Sequence, residues 1–431
     1  MESEHAATVE RIGPLQLVAL AAFAAVVRFA YVIGAGARRI PVIDDALWYH
    51  LQANFTAKGY WFRDPIALAY TFRDIPSAAH PPLYPLVLSA ASAVGGTSVL
   101  AHELVGCVIG AATVVVVALV GNELGGRRCG LLAGALACVY PVLWINDGGL
   151  MSEGLFALVT ACVLLASYVF ARRPTFWRAA LLGATIGLAA LTRAEAILLV
   201  PLLAIPVVVL RGRRRRAAVL GVALLATAVT IAPWVGRNLV TFSRPVTLST
   251  GDGILAGANC HDTYYGGGVG LWQASCNGKA PAGDESVAAA FWRRKGTTYA
   301  RNHLGRLPVV AAVRLARVWE AYAPIQNARI NGDDLRPDWA HYLALAGYFA
   351  ILPVAVAGAV LAGKRRMWLL PIVSMAVFVS LVALLTWGSE RFRVPVDVVL
   401  VLCASVALDR LLPRRHPAED AELREPTVVT R

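Results

Sequence analysis

Ten long apolar segments restrict the folds that this chain can adopt. A helix that crosses the hydrocarbon core of a bilayer needs roughly 20 apolar residues, and segments of about that length recur along the sequence with charged clusters between them. They fall at 14–34, 99–120, 130–146, 151–171, 177–191, 194–210, 217–233, 341–363, 367–387 and 394–411. The pattern predicts an all-α polytopic membrane protein.

The composition agrees with this fold class and excludes others. Hydrophobic residues make up 58% of the 431 residues and charged residues only 16%, whereas a soluble domain carries about 25% charged residues. Disordered, collagen-like and disulfide-scaffold proteins are excluded. The net charge of +13 indicates orientation in the membrane rather than a nucleic-acid partner, because the arginines cluster at the ends of the apolar segments.

Basic clusters at every second connection set the predicted orientation. Lys and Arg are enriched in cytoplasmic loops, so these connections and both termini should face the cytoplasm. The clusters are Arg127-Arg128, Arg172-Arg173-Arg178, Arg211 to Arg216, Lys364-Arg365-Arg366 and Arg410-Arg414-Arg415. Residues 35–80 and 234–340 then lie outside, where ATP and nucleotide sugars are absent, so an enzyme there needs an activated substrate.

This orientation divides the chain into five parts. They are a cytoplasmic N-terminus 1–13, an N-terminal membrane module 14–233 that includes the outer loop 35–80, a second outer loop 234–340, the last membrane helices 341–411, and a disordered cytoplasmic tail 412–431. The short apolar stretch 82–96 is interpreted as a half-helix or re-entrant piece, because a full crossing would place Arg127-Arg128 outside. A signal peptide over 1–37 is disfavoured, because Arg28 interrupts its apolar part.

Two of the seven cysteines lie in the second outer loop. Cys260 and Cys276 are 16 residues apart, and an oxidising compartment favours a disulfide between them, with two free thiols as the alternative. The other five lie in or beside spans, where cysteine behaves as a small apolar residue. No cysteine spacing typical of a zinc or iron–sulfur site is present.

Ionisable residues near the outer boundary are the main site candidates, because such side chains are costly within apolar helices. Asp44 and Asp45 begin a predicted interfacial helix, as its N-cap or as a general base at the lipid boundary. His80 precedes a proline-initiated helix that contains Tyr84. His80 either belongs to an ordinary helix start or faces a cavity beside Asp45.

A second set of acidic residues lies where apolar helices meet on the outer side. Asp147 and Glu153 flank one such turn, and Arg193 and Glu195 form the next. Arg193 and Glu195 either offset each other's burial or act with Asp45. In the second interpretation the acidic residues position an acceptor or a divalent metal ion.

Several arginines break the positive-inside trend at the outer ends of spans. Arg237 and Asn238 follow one span, and Glu390, Arg391 and Arg393 precede the last. Any single arginine at such a position can be explained by snorkelling, in which the side chain extends from the lipid to water. Together they fit a phosphate clamp, because Arg binds phosphate in a bidentate manner.

Residues 303–323 have the periodicity of an amphipathic helix, with apolar residues three and four apart. Such a helix would lie along the outer leaflet. The glycine-rich stretch 251–270 would lie above it, as a mobile flap or as a plain surface loop.

The order of these motifs resembles the GT-C superfamily of glycosyltransferases, especially the family 39 group. That group includes the dolichyl-phosphate-mannose protein mannosyltransferases and the aminoarabinose lipid A transferase. The matching elements are Asp45 with Tyr49, Pro81-Pro82-Leu83, Leu191-Thr192-Arg193, Pro233 to Asn238, and Arg391 to Pro395. The chain departs from its larger relatives after Pro413, where only a short tail follows.

The resemblance implies an inverting transfer of a sugar from a polyprenyl-phosphate donor to a hydroxyl of an envelope glycan, a lipid or a protein. Asp45, or else Asp44, is the expected general base. The donor phosphate is expected on Arg391, Arg237, Arg193 and Arg393. Acceptor or substrate positioning is expected from His80, Tyr49, Tyr84, Asp147, Glu153, Glu195, Asn238 and Glu390.

A lipid-linked sugar transporter or flippase is the main alternative, and a non-catalytic scaffold is a third. Transporters show internal repeats; the sequence shows none, and its charged groups gather on one face, which favours an enzyme. The excess of arginine over lysine fits a high-GC bacterium. The predicted location is therefore the bacterial plasma membrane, with the active site on its outer, periplasmic face.

Overall fold

The computed structural model describes residues 11–36, 44–212, 215–251, 253–330 and 337–412. These residues form helices joined by short connections, with no β-strand among them. The predicted tail from Pro413 onward lies outside the described residues. The α-helices, in chain order, are α1 (Pro14–Tyr31), α2 (Asp44–Ala57), α3 (Pro65–Thr71), α4 (Leu83–Ala93), α5 (Val99–Gly125), α6 (Arg127–Val139), α7 (Pro141–Ile145), α8 (Ser152–Arg172), α9 (Phe176–Thr192), α10 (Ile205–Arg211), α11 (Arg216–Thr241), α12 (Ile254–Ala258), α13 (His261–Tyr264), α14 (Glu285–Asn302), α15 (Leu307–Val318), α16 (Pro324–Ile330), α17 (Asp338–Lys364), α18 (Leu370–Leu385) and α19 (Val394–Leu411).

All ten predicted spans coincide with helical segments, which confirms the multi-pass fold class. Among the described residues, six helical segments are long and apolar enough to cross a membrane: Pro14–Gly34, Val99–Gly125, Ser152–Arg172, Ala194–Arg211, Arg216–Thr241 and Asp338–Lys364. The pair Arg127–Val139 and Pro141–Gly148 makes a seventh, bent by 55°. The remaining three predicted spans are α9 and α18, which are apolar but shorter, and the buried α19.

The short apolar stretch after the first outer loop forms α4, which has 11 residues. At 1.5 Å per residue it is roughly 16 Å long, about half of the roughly 30 Å that a crossing requires. This length agrees with the predicted half-helix. Because α4 packs against α2, it fixes the position of the helix that begins at Asp44.

The second outer loop forms a packed cap, and two arginines of α15 hold it together. Arg317 donates to the carbonyl oxygens of Val269 at 2.7 Å and Gly267 at 3.3 Å. Arg314 donates a hydrogen bond to the carbonyl oxygen of Ala258. Both arginines are at most 2% exposed. The face of α15 that carries both arginines therefore binds the glycine-rich stretch 251–270, which argues against a mobile flap there.

A disulfide bond joins Cys260 and Cys276 within the cap. The segment that it closes also bonds the chain just before α19, since the Gly388 amide donates to the Gly270 carbonyl at 2.8 Å. The disulfide thus closes a loop within the cap, and the Gly388–Gly270 bond joins that loop to the segment that leads into α19.

Candidate active site

The ends of several helices surround a polar cavity of about 210 Å³. α2 and the segment before α4 form one part of its wall, the start of α8 and the end of α9 a second, and the segment before α19 a third. The cap closes the remaining side. The charged and polar residues that line the cavity include Asp45, Tyr49, His80, Ser152, Arg193, Glu195 and Arg391.

Asp45 lies in the first turn of α2, where the helix dipole favours a carboxylate. Its Oδ2 accepts a bond from Nη2 of Arg391 at 3.1 Å, and its Oδ1 lies 3.5 Å from Nε2 of His80. Removal from bulk water raises the pKa of Asp45, but the charges of His80 and Arg391 lower that pKa further than burial raises it, to below its ordinary value. Asp45 therefore stays ionised, as a general base must.

His80 connects Asp45 to Tyr49. The Tyr49 hydroxyl lies 3.3 Å from Nδ1 of His80, and the Tyr84 ring packs edge-on against Tyr49 with a centroid distance of 4.9 Å. Burial and the charge of Asp45 raise the pKa of Tyr49, so its phenol stays protonated. Tyr84 is 3% exposed and does not line the cavity; it supports Tyr49 instead of contacting a substrate.

Glu153 fixes the two arginines of the cavity. Its Oε1 accepts bonds from Nε of Arg391 at 2.6 Å and Nη1 of Arg193 at 3.1 Å. Arg193 also donates to Oε1 of Glu195 at 2.7 Å. Arg193 and Glu195 thus pair with each other, as the first interpretation expected, and both also line the cavity. Glu153 thus holds two guanidinium groups, of which Arg391 also contacts the Asp45 carboxylate.

The carboxylates of the cavity do not fit a metal site. In the part of the chain that the structure describes, no three His, Cys, Asp or Glu side chains come together as a ligand set. Asp45 and Glu195 face cationic side chains at bonding distance. The predicted role of the acidic residues as ligands of a divalent ion has no support in this geometry.

Asp44 and Asp147 lie apart from the cavity. Asp44 is exposed at the start of α2. Asp147 is 3% exposed, and its Oδ2 accepts a bond from Nε of Arg28 at 2.6 Å. The expectation that Asp147 positions a substrate beside Asp45 is wrong, because its carboxylate neutralises an arginine of the first span.

We expect Asp147→Asn to destabilise the protein without a matching loss of catalysis per folded molecule. The change leaves Arg28 buried without its counter-charge, which costs about 3–5 kcal/mol. Thermal unfolding in detergent measures this loss, and the double variant Arg28→Met with Asp147→Leu should regain much of it. A stable Asp147→Asn protein with no activity would instead assign Asp147 to the chemistry.

Arg237 and Asn238 hold the backbone together instead of facing the cavity. The Arg237 guanidinium donates to the carbonyl oxygens of Ser77 and Phe62, both at 2.9 Å, and lies 5.1 Å from the ring centroid of Trp234. Asn238 donates to the Thr247 carbonyl at 2.8 Å. The sequence suggested that Arg237 binds the donor phosphate and that Asn238 positions the acceptor. Neither side chain lies where it could do so.

Arg393 and Glu390 also point away from the cavity. Arg393 is 2% exposed and lies 3.5 Å from Glu320 and 3.4 Å from Asp397, with its guanidinium 3.8 Å from the centroid of the Tyr348 ring. Glu390 lies beside Glu320. The prediction of Arg393 as a phosphate ligand is therefore wrong, because its guanidinium is buried among the helices and does not line the cavity.

Sequence reasoning missed Ser152, Trp272 and Trp387, which line the cavity. Trp272 lies between the two bonded cysteines, and Trp387 is four residues before Arg391. Their positions next to recognised motifs could have identified them as candidates. Tryptophan is, however, common at membrane boundaries for reasons unrelated to a site.

Known proteins share parts of this sequence and its fold. Residues 79–236, less than half of the chain, match the family described as dolichyl-phosphate-mannose-protein mannosyltransferase. The Archaeoglobus fulgidus oligosaccharyltransferase tethered to an acceptor peptide superposes with a TM-score of 0.57 at 15% identity, over 92% of this chain and 50% of that one. The chain has the GT-C fold. The resemblance indicated by the sequence motifs is thereby confirmed for the fold.

Two further GT-C structures are similar. The A. fulgidus enzyme in complex with an inhibitory peptide and a dolichol-phosphate gives a TM-score of 0.51 at 14% identity, over 92% of this chain and 50% of that one. ArnT from Cupriavidus metallidurans bound to undecaprenyl phosphate gives a TM-score of 0.47 at 16% identity, over 96% of this chain and 80% of that one. The chain spans about half the length of the oligosaccharyltransferase. No curated protein matches its sequence.

Proposed function

We propose that this GT-C protein is an inverting glycosyltransferase that moves a sugar from a polyprenyl-phosphate donor to a hydroxyl acceptor on the outer face of a bacterial plasma membrane. One observation carries the proposal: the Asp45 carboxylate and the Arg391 guanidinium line the same cavity, with Oδ2 of Asp45 3.1 Å from Nη2 of Arg391. A base and a phosphate-binding cation at bonding distance are the two groups that this transfer requires.

The reaction needs one base and one leaving group. The acceptor oxygen attacks the anomeric carbon, Asp45 takes the hydroxyl proton, and the bond from the anomeric carbon to the phosphate oxygen breaks with its electrons on the phosphate. Arg391 and Arg193 stabilise the charge that the phosphate gains. Because phosphate leaves without protonation, no second carboxylate is needed as an acid, in contrast to glycoside hydrolysis.

An apolar groove supports a lipid-linked donor. The groove, about 550 Å³ in volume, is lined by residues of α17, α18 and α19, Leu384 among them, and by Trp319. Leu384 is three residues before Trp387, which lines the polar cavity. A polyprenyl chain in this groove would place its phosphate near Arg391. The A. fulgidus relative, whose structure contains a dolichol-phosphate, has the same fold.

The test uses purified protein in nanodiscs with undecaprenyl phosphates that carry mannose, glucose or arabinose, together with an envelope extract. Mass spectrometry then follows donor loss and the mass added to acceptors. We expect one donor to be consumed with transfer of its sugar. Donor binding without turnover, with movement of the lipid between leaflets, would instead support the transporter.

His80→Gln should move the acid limb of the kcat/KM profile to higher pH. The positive charge of His80 lowers the pKa of Asp45, so its loss raises that pKa, and the base becomes protonated at a higher pH than in the wild type. The acid limb of kcat/KM reports this pKa in the free enzyme. His261→Gln, an exposed change in the cap, is the control and should leave the limb in place.

A further inference from the structure

Two tryptophans in the cavity have no part in the proton transfer or in phosphate binding. Trp272 from the cap and Trp387 from the segment before α19 both line the cavity. Their ring centroids are 6.3 Å apart, with an angle of 40° between the ring planes. Both side chains are half-buried, so part of each indole is accessible to a ligand.

The position of both rings is fixed by the surrounding backbone. The Trp272 indole packs directly on the backbone of Gly257, where a Cβ atom would collide with Nε1 of the ring. The bond from the Gly388 amide to the Gly270 carbonyl joins the two segments next to the tryptophans. Trp272 lies in the loop that the Cys260–Cys276 disulfide closes. An apolar contact surface inside a polar cavity is thus built from two distant parts of the chain.

The contacts of Trp387 place this surface beside the phosphate site. Trp387 packs edge-on against Phe392 with a centroid distance of 4.7 Å, and Phe392 directly follows Arg391. The sugar of a polyprenyl-phosphate donor is joined to the phosphate by one oxygen atom. A phosphate on Arg391 would therefore bring the sugar ring within reach of the two indoles.

We propose that Trp272 and Trp387 form the donor-sugar subsite of this cavity. The ring of a pyranose or furanose presents C–H groups on one face, and these pack on the electron-rich face of an indole. The inference rests on the proposed function and deepens it, because it assigns recognition of the sugar to residues other than those that hold the phosphate.

The test compares two ligand types on the same protein. Binding of bare undecaprenyl phosphate and of undecaprenyl phosphate carrying mannose, glucose or arabinose is measured for wild type, Trp272→Ala and Trp272→Phe in nanodiscs. Trp292→Ala, outside the cavity but in the same outer loop, is the control. We expect Trp272→Ala to weaken binding of the preferred sugar-bearing lipid roughly 3- to 10-fold, with bare lipid unchanged and with partial recovery in Trp272→Phe.

Other outcomes separate this inference from the proposed function. If wild type transfers a sugar but Trp272→Ala keeps the same preference for sugar-bearing over bare lipid, the subsite is refuted and the enzyme stands. An equal loss for both lipids would also refute it, since the ring would then contact the lipid or support the fold. If wild type neither prefers nor consumes any sugar-bearing lipid, the proposed function fails, and the subsite with it.

Discussion

Asp45→Asn should reduce sugar transfer by about 10²–10⁴-fold, the usual contribution of a general base. The amide cannot take the proton of the acceptor hydroxyl, although it has the size of the carboxylate. Donor binding should persist or tighten, because Arg391 loses its bond to the Asp45 carboxylate and becomes more available to a phosphate. Transfer is measured by mass spectrometry, and donor binding on the same preparation.

Asp44→Asn is the matched control for this prediction. Asp44 is the neighbouring residue on the same helix, carries the same charge and is exposed outside the cavity. Its variant should therefore keep transfer close to that of the wild type. Full turnover by Asp45→Asn, or an equal loss in Asp44→Asn, would contradict the assignment of the base to Asp45.

The membrane helices could be predicted because each one follows from a local property of the sequence. A segment long and apolar enough to cross the bilayer must satisfy its backbone hydrogen bonds internally, which restricts it to a helix. The basic clusters then assign its direction. The predicted orientation thereby put the segments that carry Asp45, His80, Glu153, Arg193 and Arg391 on one side of the membrane, and the structure brings these residues together at one cavity.

The direction in which each side chain points was harder to predict. Arg391 and Arg393 are two residues apart, yet only Arg391 faces the cavity, whereas Arg393 faces Asp397 and Glu320. Asp147 pairs with Arg28, 119 residues away. Such partners come together only through the packing of distant helices, so spacing along the sequence cannot identify them.

Arg391→Gln should lower kcat/KM by about 10²–10³-fold, the typical loss when a preorganised donor to a developing anion is removed. Nε of Arg391 bonds Glu153 at 2.6 Å and Nη2 bonds Asp45 at 3.1 Å, so the guanidinium is fixed before a substrate arrives. Its loss should also weaken binding of bare undecaprenyl phosphate, which carries the same anionic group. Both effects are measured in nanodiscs.

Arg237→Gln and Arg391→Lys make this prediction specific. Arg237 is also an outer-face arginine at the end of a span, but it bonds backbone carbonyls, so Arg237→Gln should lower thermal stability and leave lipid-phosphate affinity unchanged. Arg391→Lys keeps the charge but loses the planar, bidentate geometry, and should fall between wild type and Arg391→Gln. If Arg237→Gln abolished phosphate binding while Arg391→Gln did not, the phosphate would lie beside Phe62 and Ser77, and the cavity around Asp45 would lose its leaving-group site.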